Sequence, residues 1–349
     1  MKRRLLPMMM TLVLVCALPI WAAFVTSGDV TNPLVCTAGA TSSEESAVDK
    51  LKLAISRGVD AQLTEDIEIT QTLYVERSMT LDLNGCVLRM RGTGSVLKVY
   101  NGATLIITDS RPQNPHTGSY AGLPAGGVIT GGEGTDLTGI YNVGGAVFLE
   151  NDTTLKLEGG TITGNSSRGS VFINGATFVM TGGTITGETV GVYNNVGTFT
   201  MTGGRITGCS DRGVYVYNGN MTMSGTAYIG ENPNARREDI YVYESDHKHT
   251  DLSVTGGTIA GKVRIVFREN LYPTQDELKA AANSVVKEQG VFDGHIKVEK
   301  GTSGICVDYN SVNFIDEVAK TRTLKLVLQP NAVEEPETPA TVNGREFMY

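Results

Sequence analysis

The sequence predicts an all-β parallel β-helix, a solenoid of short strands stacked coil on coil. Three observations predict it. Gly-Gly-Thr-Ile-Thr-Gly occurs at 159–164 and 182–187, and again at 203–208 with Arg205 in place of the first Thr. Looser copies begin at Gly126, Gly225 and Gly256, so the central starts are separated by 23, 21 and 22 residues. A period of this size marks stacked units, each touching mainly its neighbours. Each repeat also holds three short apolar pieces of period two, and Gly, Asn and Ser separate them.

The chain opens on what reads as a secretory signal peptide, residues 1–23. Lys2, Arg3 and Arg4 precede a mostly apolar run that ends at Ala22 and Ala23. Removing those cations takes the net charge from −8 to −11, which gives no electrostatic reason to bind nucleic acid or anionic lipid. The expectation is an exported, secreted or cell-surface monomer with no transmembrane segment after signal removal. Residues 24–41 read as a linker. Residues 42–58 read as an N-terminal capping helix. Val48, Leu51 and Ile55 share one face, Ser42 with Glu45 fits a capping box, and Gly58 ends the helix.

The parallel β-helix is expected over 59–268. Its first piece is Val147-Phe148-Leu149, then Val171-Phe172-Ile173, Val192-Tyr193-Asn194, Val214-Tyr215-Val216-Tyr217 and Ile240-Tyr241-Val242-Tyr243. The second includes Leu155-Lys156-Leu157, Phe178-Val179-Met180, Phe199-Thr200-Met201 and Met221-Thr222-Met223. The third centres on Ile129, Ile162, Ile185, Ile206, Tyr228 and Ile259. Stacking each piece on its copy makes three parallel sheets around one apolar interior, and the usual hand of parallel crossovers makes the coil right-handed. Asn101-Gly102, Asn174-Gly175 and Asn218-Gly219 supply left-handed corners. Residues 269–330 read as a small α+β end. A capping box at 274–277 opens a helix there, and strand-like runs surround 296–298, 305–307 and 323–328. Residues 331–349 are an acidic, Pro-containing tail.

Residues 44–110 resemble the N-terminal part of exported right-handed parallel β-helix proteins. The carriers are AVDKLKLAISRG, LTEDIEITQTLYV, MTLDLNGCVLRM and ATLIITDS, and the later GGTITGN and GGTITGE copies match the same group. This group is similar to the pectate-lyase-like superfamily, and the resemblance covers about 44–265. It implies the fold more than an activity, because members of that superfamily include lyases, hydrolases, adhesins and binding proteins.

The strongest binding feature is an aromatic row on the first piece. Phe148, Phe172, Tyr193, Tyr215 and Tyr241 hold one position in successive coils, and Tyr217 and Tyr243 lie two residues on. With their neighbours Val171, Val192, Val214 and Ile240 pointing inward, these rings are expected to form an exposed stripe suited to sugar rings. Phe172, Tyr193, Tyr215, Tyr217, Tyr241 and Tyr243 are therefore the expected contacts for polysaccharide or host glycan, with no cofactor and no metal. A ladder that only stiffens the sheet is the competing expectation. The catalytic alternative is a polysaccharide lyase or glycosidase acting near Glu188, Asp211 and Arg212, with calcium as cofactor if it is a lyase. Glu231 carries a further carboxylate at that corner. A passive spacer or adhesin-type scaffold is the remaining possibility. His247 and His249 are too few for a zinc site. Cys36, Cys86, Cys209 and Cys306 share no metal-like spacing.

Overall fold

The computed structural model describes residues 34–36, 46–136, 142–233, 238–244, 252–260, 262–267, 296–301, 304–309, 312–313, 340–342 and 345–347. The expected signal peptide, the second helix, the strand at 323–328 and the histidine pair at 247 and 249 lie outside them.

The α-helix spans Ala47–Arg57 and begins later than expected. Its cap is Ser46, not Ser42: the Asp49 amide donates to Ser46 Oγ at 3.2 Å, and that hydroxyl donates to the Asp49 carboxylate at 2.7 Å. The apolar face decides the start, because Ala47, Leu51, Ala54 and Ile55 are all buried. Gly58, at φ 66°, turns the chain out and donates to the last carbonyls.

The strands form a right-handed parallel solenoid of about 8 turns. The first sheet stacks Leu73–Val75, Leu97–Val99, Val147–Leu149, Val171–Asn174, Val190–Asn195, Arg212–Tyr217, Glu238–Glu244 and Lys262–Phe267. The second runs from Ala61–Leu63 to Leu252–Val254, and the third from Ile67–Ile69 to Thr258–Ile259. Pairing is in register, so like sits on like. Phe178 lies over Phe199 with centroids 4.9 Å apart, and Ile162, Ile185 and Ile206 align in the third sheet. Along the strands of the second sheet alternate residues are buried, in the first sheet the outward residues are largely buried as well, and the inward residues of all three sheets make one continuous core. Cys86 and Cys209 are buried with free thiols, Cys86 within this core as small fillers are.

One repeat is out of step with its expected alignment. Tyr228 pairs with Arg205, and Ile229 pairs with Ile206. The inward residue is therefore Ile229, and the true spacing from the preceding copy is 23 residues. Tyr228 points outward beneath the Arg205 guanidinium, 3.9 Å from its ring centre. As a result Glu231, at φ 56°, stands where Gly164, Gly187 and Gly208 adopt φ near 70° in the other copies.

The ends of the stack differ from its middle. Leu34–Cys36, inside the expected linker, adds a parallel strand beside Ala61–Leu63. At the far end parallel stacking stops. Gly304–Tyr309 pairs antiparallel with Lys262–Phe267, Ile296–Gly301 pairs antiparallel with Gly304–Tyr309, and Val312–Asn313 closes the third sheet the same way. Ile296–Gly301 and Gly304–Tyr309 are thus an antiparallel pair laid on the last coil. Within the expected tail, Ala340–Val342 and Arg345–Phe347 form another antiparallel pair.

The corner after the first sheet needs a left-handed residue. Register aligns Gly175, Val196 and Asn218 there, at φ 63°, 60° and 49°. Gly and Asn accept this conformation, whereas a β-branched side chain is strained in it by about 1–2 kcal/mol. Val196 is 43% exposed, so its side chain returns little packing. Val196→Gly is expected to raise stability by about 1 kcal/mol, read as a higher urea midpoint at unchanged slope. An unchanged or lower midpoint would contradict the strain assignment.

Candidate functional site

The aromatic row forms as a ladder but not as an exposed stripe. Phe148, Phe172, Tyr193, Tyr215 and Tyr241 pair Cα to Cα in successive coils, and Tyr217 pairs with Tyr243. Neighbouring rings meet tilted, edge-on or stacked, with centroids 4.6–5.2 Å apart along the row. Phe148, Phe172, Tyr193 and Tyr215 are buried, Tyr215 the most open of them at 9% exposure. They form a second apolar cluster outside the main core with Val143 and Val190. Cations lie over it: Lys98 on Phe148, Arg168 on Tyr193 and Tyr215, and Arg212 on Tyr215 and Tyr241. Only Tyr217, Tyr241 and Tyr243 stay half-exposed. Burial also pushes the Tyr215 hydroxyl well above the ordinary phenol range.

Beside the ladder, at the corner that follows the third sheet, is an open polar cleft of about 900 Å³. Asp136, Asn165, Ser167, Arg168, Glu188 and Asp211 line it. Arg168 belongs to both features, since it borders the cleft and covers two rings of the ladder. Arg212 connects them again. It pairs with Asp211 at 2.6 Å and sits 4.1 Å from the Tyr241 ring centre. The two arginines form a cationic seam between a flat aromatic wall and a polar floor.

The cleft floor is a ladder of corner residues. The residue after the left-handed position is Asn165, Glu188, Cys209 and Asn232 in four successive coils. Asn165 Oδ1 accepts the Gly132 amide at 3.0 Å. Glu188 accepts the Asn165 amide at 3.1 Å and the Asn165 side-chain NH₂ at 3.1 Å. Asn232 accepts the Cys209 amide at 2.8 Å and donates to Asp239 at 2.7 Å. Each of these three polar side chains satisfies a buried amide of the coil before it. Glu188 is therefore a rung of the corner, 2% exposed, and burial raises its carboxyl to about 7 despite the bonds from Asn165. Ser170 lies beside it and favours the ionised form, although its buried hydroxyl falls short of regular hydrogen-bond geometry.

Of the three expected catalytic residues, Glu188 and Asp211 reach the cleft and Arg212 lies on the aromatic rings. Their stations differ. The Ser210 amide donates to the Glu188 carbonyl, and the Asp211 amide donates to the Thr189 carbonyl. Glu231 is not among the lining residues; it contacts Arg205, Thr207 and the Tyr228 hydroxyl instead. Asn165, Ser167 and Asp136 did not stand out in the sequence reading. Aligning the residue that follows each repeat glycine would have found Asn165. Among the described residues no group of three or more His, Cys, Asp or Glu is gathered as for a metal ion, and no helix is long and apolar enough to cross a membrane.

The sign of the Glu188 shift sets a pH dependence. A carboxyl raised in the folded state contributes most below its unfolded value near 4.5, and that contribution is lost as pH rises through about 7. The chain is expected to lose about 3 kcal/mol of stability from this group between those limits. Glu188→Gln should flatten that slope whatever constant offset the amide carries. Denaturant titrations at pH 4.5, 6 and 8 measure it, and parallel slopes for the two proteins would refute the assignment.

No protein-family model, no curated protein and no solved structure matches this chain.

Proposed function

We propose that this chain is an exported β-helix protein of the pectate-lyase-like superfamily, secreted or held at the cell surface, that binds a polysaccharide or host glycan without cleaving it. The observation that carries this reading is the continuity of the polar cleft with the accessible end of the tyrosine row, through Arg168 and Arg212. Sugars combine apolar ring faces with rims of hydroxyls. Half-exposed Tyr217, Tyr241 and Tyr243 suit the faces, and Arg168 and exposed Asp136 at the cleft suit the rims. Buried Phe172, Tyr193 and Tyr215 act as the wall behind them, which narrows the contact set expected from sequence.

Two features weigh against catalysis. Glu188 has its oxygens committed to the Asn165 rung, and Asp211 is held by Arg212. A two-carboxylate mechanism needs both acids aimed at one bond, and these stand at different stations of their coils. The binding reading requires no cofactor.

A lyase or glycosidase is the second reading. One observation favours it: a carboxyl at the cleft with its titration moved to about 7, as a general acid requires.

Tyr241→Ala and Tyr243→Ala together are expected to weaken glycan binding about tenfold or more. Asn220→Ala, in the second sheet, should leave it near wild type. Glycan-array screening of the mature chain followed by calorimetry measures both. Unsaturated ends absorbing in the ultraviolet would indicate a lyase, and new reducing ends a hydrolase. Absence of any ligand would favour the passive spacer.

A further inference from the structure

The sequence contains five Asn–Gly pairs: 84–85, 101–102, 174–175, 218–219 and 343–344. The last lies outside the described residues. Asn–Gly is the dipeptide most open to self-modification, because glycine leaves its own backbone nitrogen unshielded beside the preceding carboxamide. The fold treats the four described pairs very differently.

Three are closed. The Gly85 amide donates to Asp109 at 2.7 Å, and the Asn84 side chain donates to the Leu63 carbonyl and accepts from Ser110. The Gly175 amide donates to the Asn195 carbonyl at 3.0 Å, while Asn174 Oδ1 accepts from Asn195 at 2.9 Å. Asn218 and Gly219 are both buried, and the Asn194 carboxamide sits where a side chain on Gly219 would go. In the first two pairs the attacking nitrogen and the carboxamide are held by neighbouring residues of the stack, and the third pair is buried against an adjoining coil.

Asn101–Gly102 is open. Both residues are exposed, no atom lies within 4 Å of the position a Gly102 side chain would take, and among the described residues no hydrogen bond holds the Gly102 amide or the Asn101 carboxamide. The corner is closed by one bond, from the Ala103 amide to the Tyr100 carbonyl at 3.2 Å. Asn101 is left-handed, at φ 57°, so the turn must relax before its carboxamide meets the next nitrogen. With a single weak closing bond, that opening is easy.

We propose that Asn101 is a site of spontaneous covalent modification in the folded protein, by deamidation through a succinimide. The Gly102 nitrogen loses its proton to solvent and bonds to the Asn101 side-chain carbonyl carbon. The carbon–nitrogen bond of the carboxamide breaks, and the nitrogen leaves as ammonia. Water then opens the five-membered ring at either carbonyl, giving aspartate or isoaspartate. One water is consumed, one ammonia is released, and nothing is oxidised or reduced. The product adds a negative charge near Tyr100, where Glu76 and Glu150 already act. The isoaspartate form also lengthens the backbone of a corner that joins the first sheet to the second.

The test is a time course of the full chain at mildly alkaline pH, with peptide mapping that resolves the mass gain at Asn84, Asn101, Asn174 and Asn218. In native buffer Asn101 is expected to convert at least about tenfold faster than the other three, the protection that their bonds and burial provide. In concentrated urea the four rates should converge. Gly102→Ala should suppress conversion at Asn101 in urea, where the strain that an alanine meets at φ 71° in the folded corner does not act. Conversion of Asn84, Asn174 or Asn218 as fast as Asn101 in native buffer would overturn the proposal, as would an Asn101 that stays intact while the urea control converts.

Discussion

Everything in this molecule depends on in-register parallel pairing between coils. A parallel strand pair gives each residue an equivalent neighbour one coil away, so a side chain that suits one coil must suit the next. Ordering a single coil costs more conformational entropy than its few inward side chains return. Stability is therefore a property of contacts between coils, and the central repeat of 21 to 24 residues is the length that brings equivalent positions back into contact. Where the chain departs from identity, as at Tyr228 and Ile229, the glycine phrase slips by a residue while the pairing stays in register, so that an isoleucine still faces inward.

The same constraint organises the polar and aromatic residues. Corners bring buried amides together at a fixed spacing, and Asn165, Glu188 and Asn232 answer them from equivalent stations. The outward aromatic positions stack because their strands do, and the rings then shelter one another. The candidate site arises where these two ladders meet. Arg168 is the residue that belongs to both. A binding surface on such a scaffold is rigid before its ligand arrives, so little ordering entropy opposes binding.

The architecture was legible in the sequence because its cause is periodic. The inward residues of the second sheet, from Leu155 and Leu157 through Phe178, Met180, Phe199 and Met201, alternate as the pattern requires, and all are buried. The aromatic register was legible for the same reason. Its burial was not. What covers Tyr193 and Tyr215 comes from Arg168, Val190 and Arg212, residues of the corners and strand ends around them, and alternation within a strand carries no information about those. The start of the helix was misplaced because two serines each precede an acid by three residues, and only the buried face of Ala47 and Leu51 separates them. The role of Glu188 was hidden by chemistry rather than position. Side by side in a sequence, Asn, Glu, Cys and Asn do not look interchangeable, yet each fills one corner.

The antiparallel pairing at the far end has a further consequence. In the first and third sheets it leaves the last parallel strand already paired, and the opposite end begins at a helix and an added strand. A new parallel coil at the far end would have to displace those partners. Within the stack an inserted unit meets the same neighbours as the one it copied. Growth by internal duplication would lengthen the aromatic wall and the corner ladder together while both ends stay unchanged. The identical GGTITG phrases at 159–164 and 182–187 have the form that such an event leaves behind.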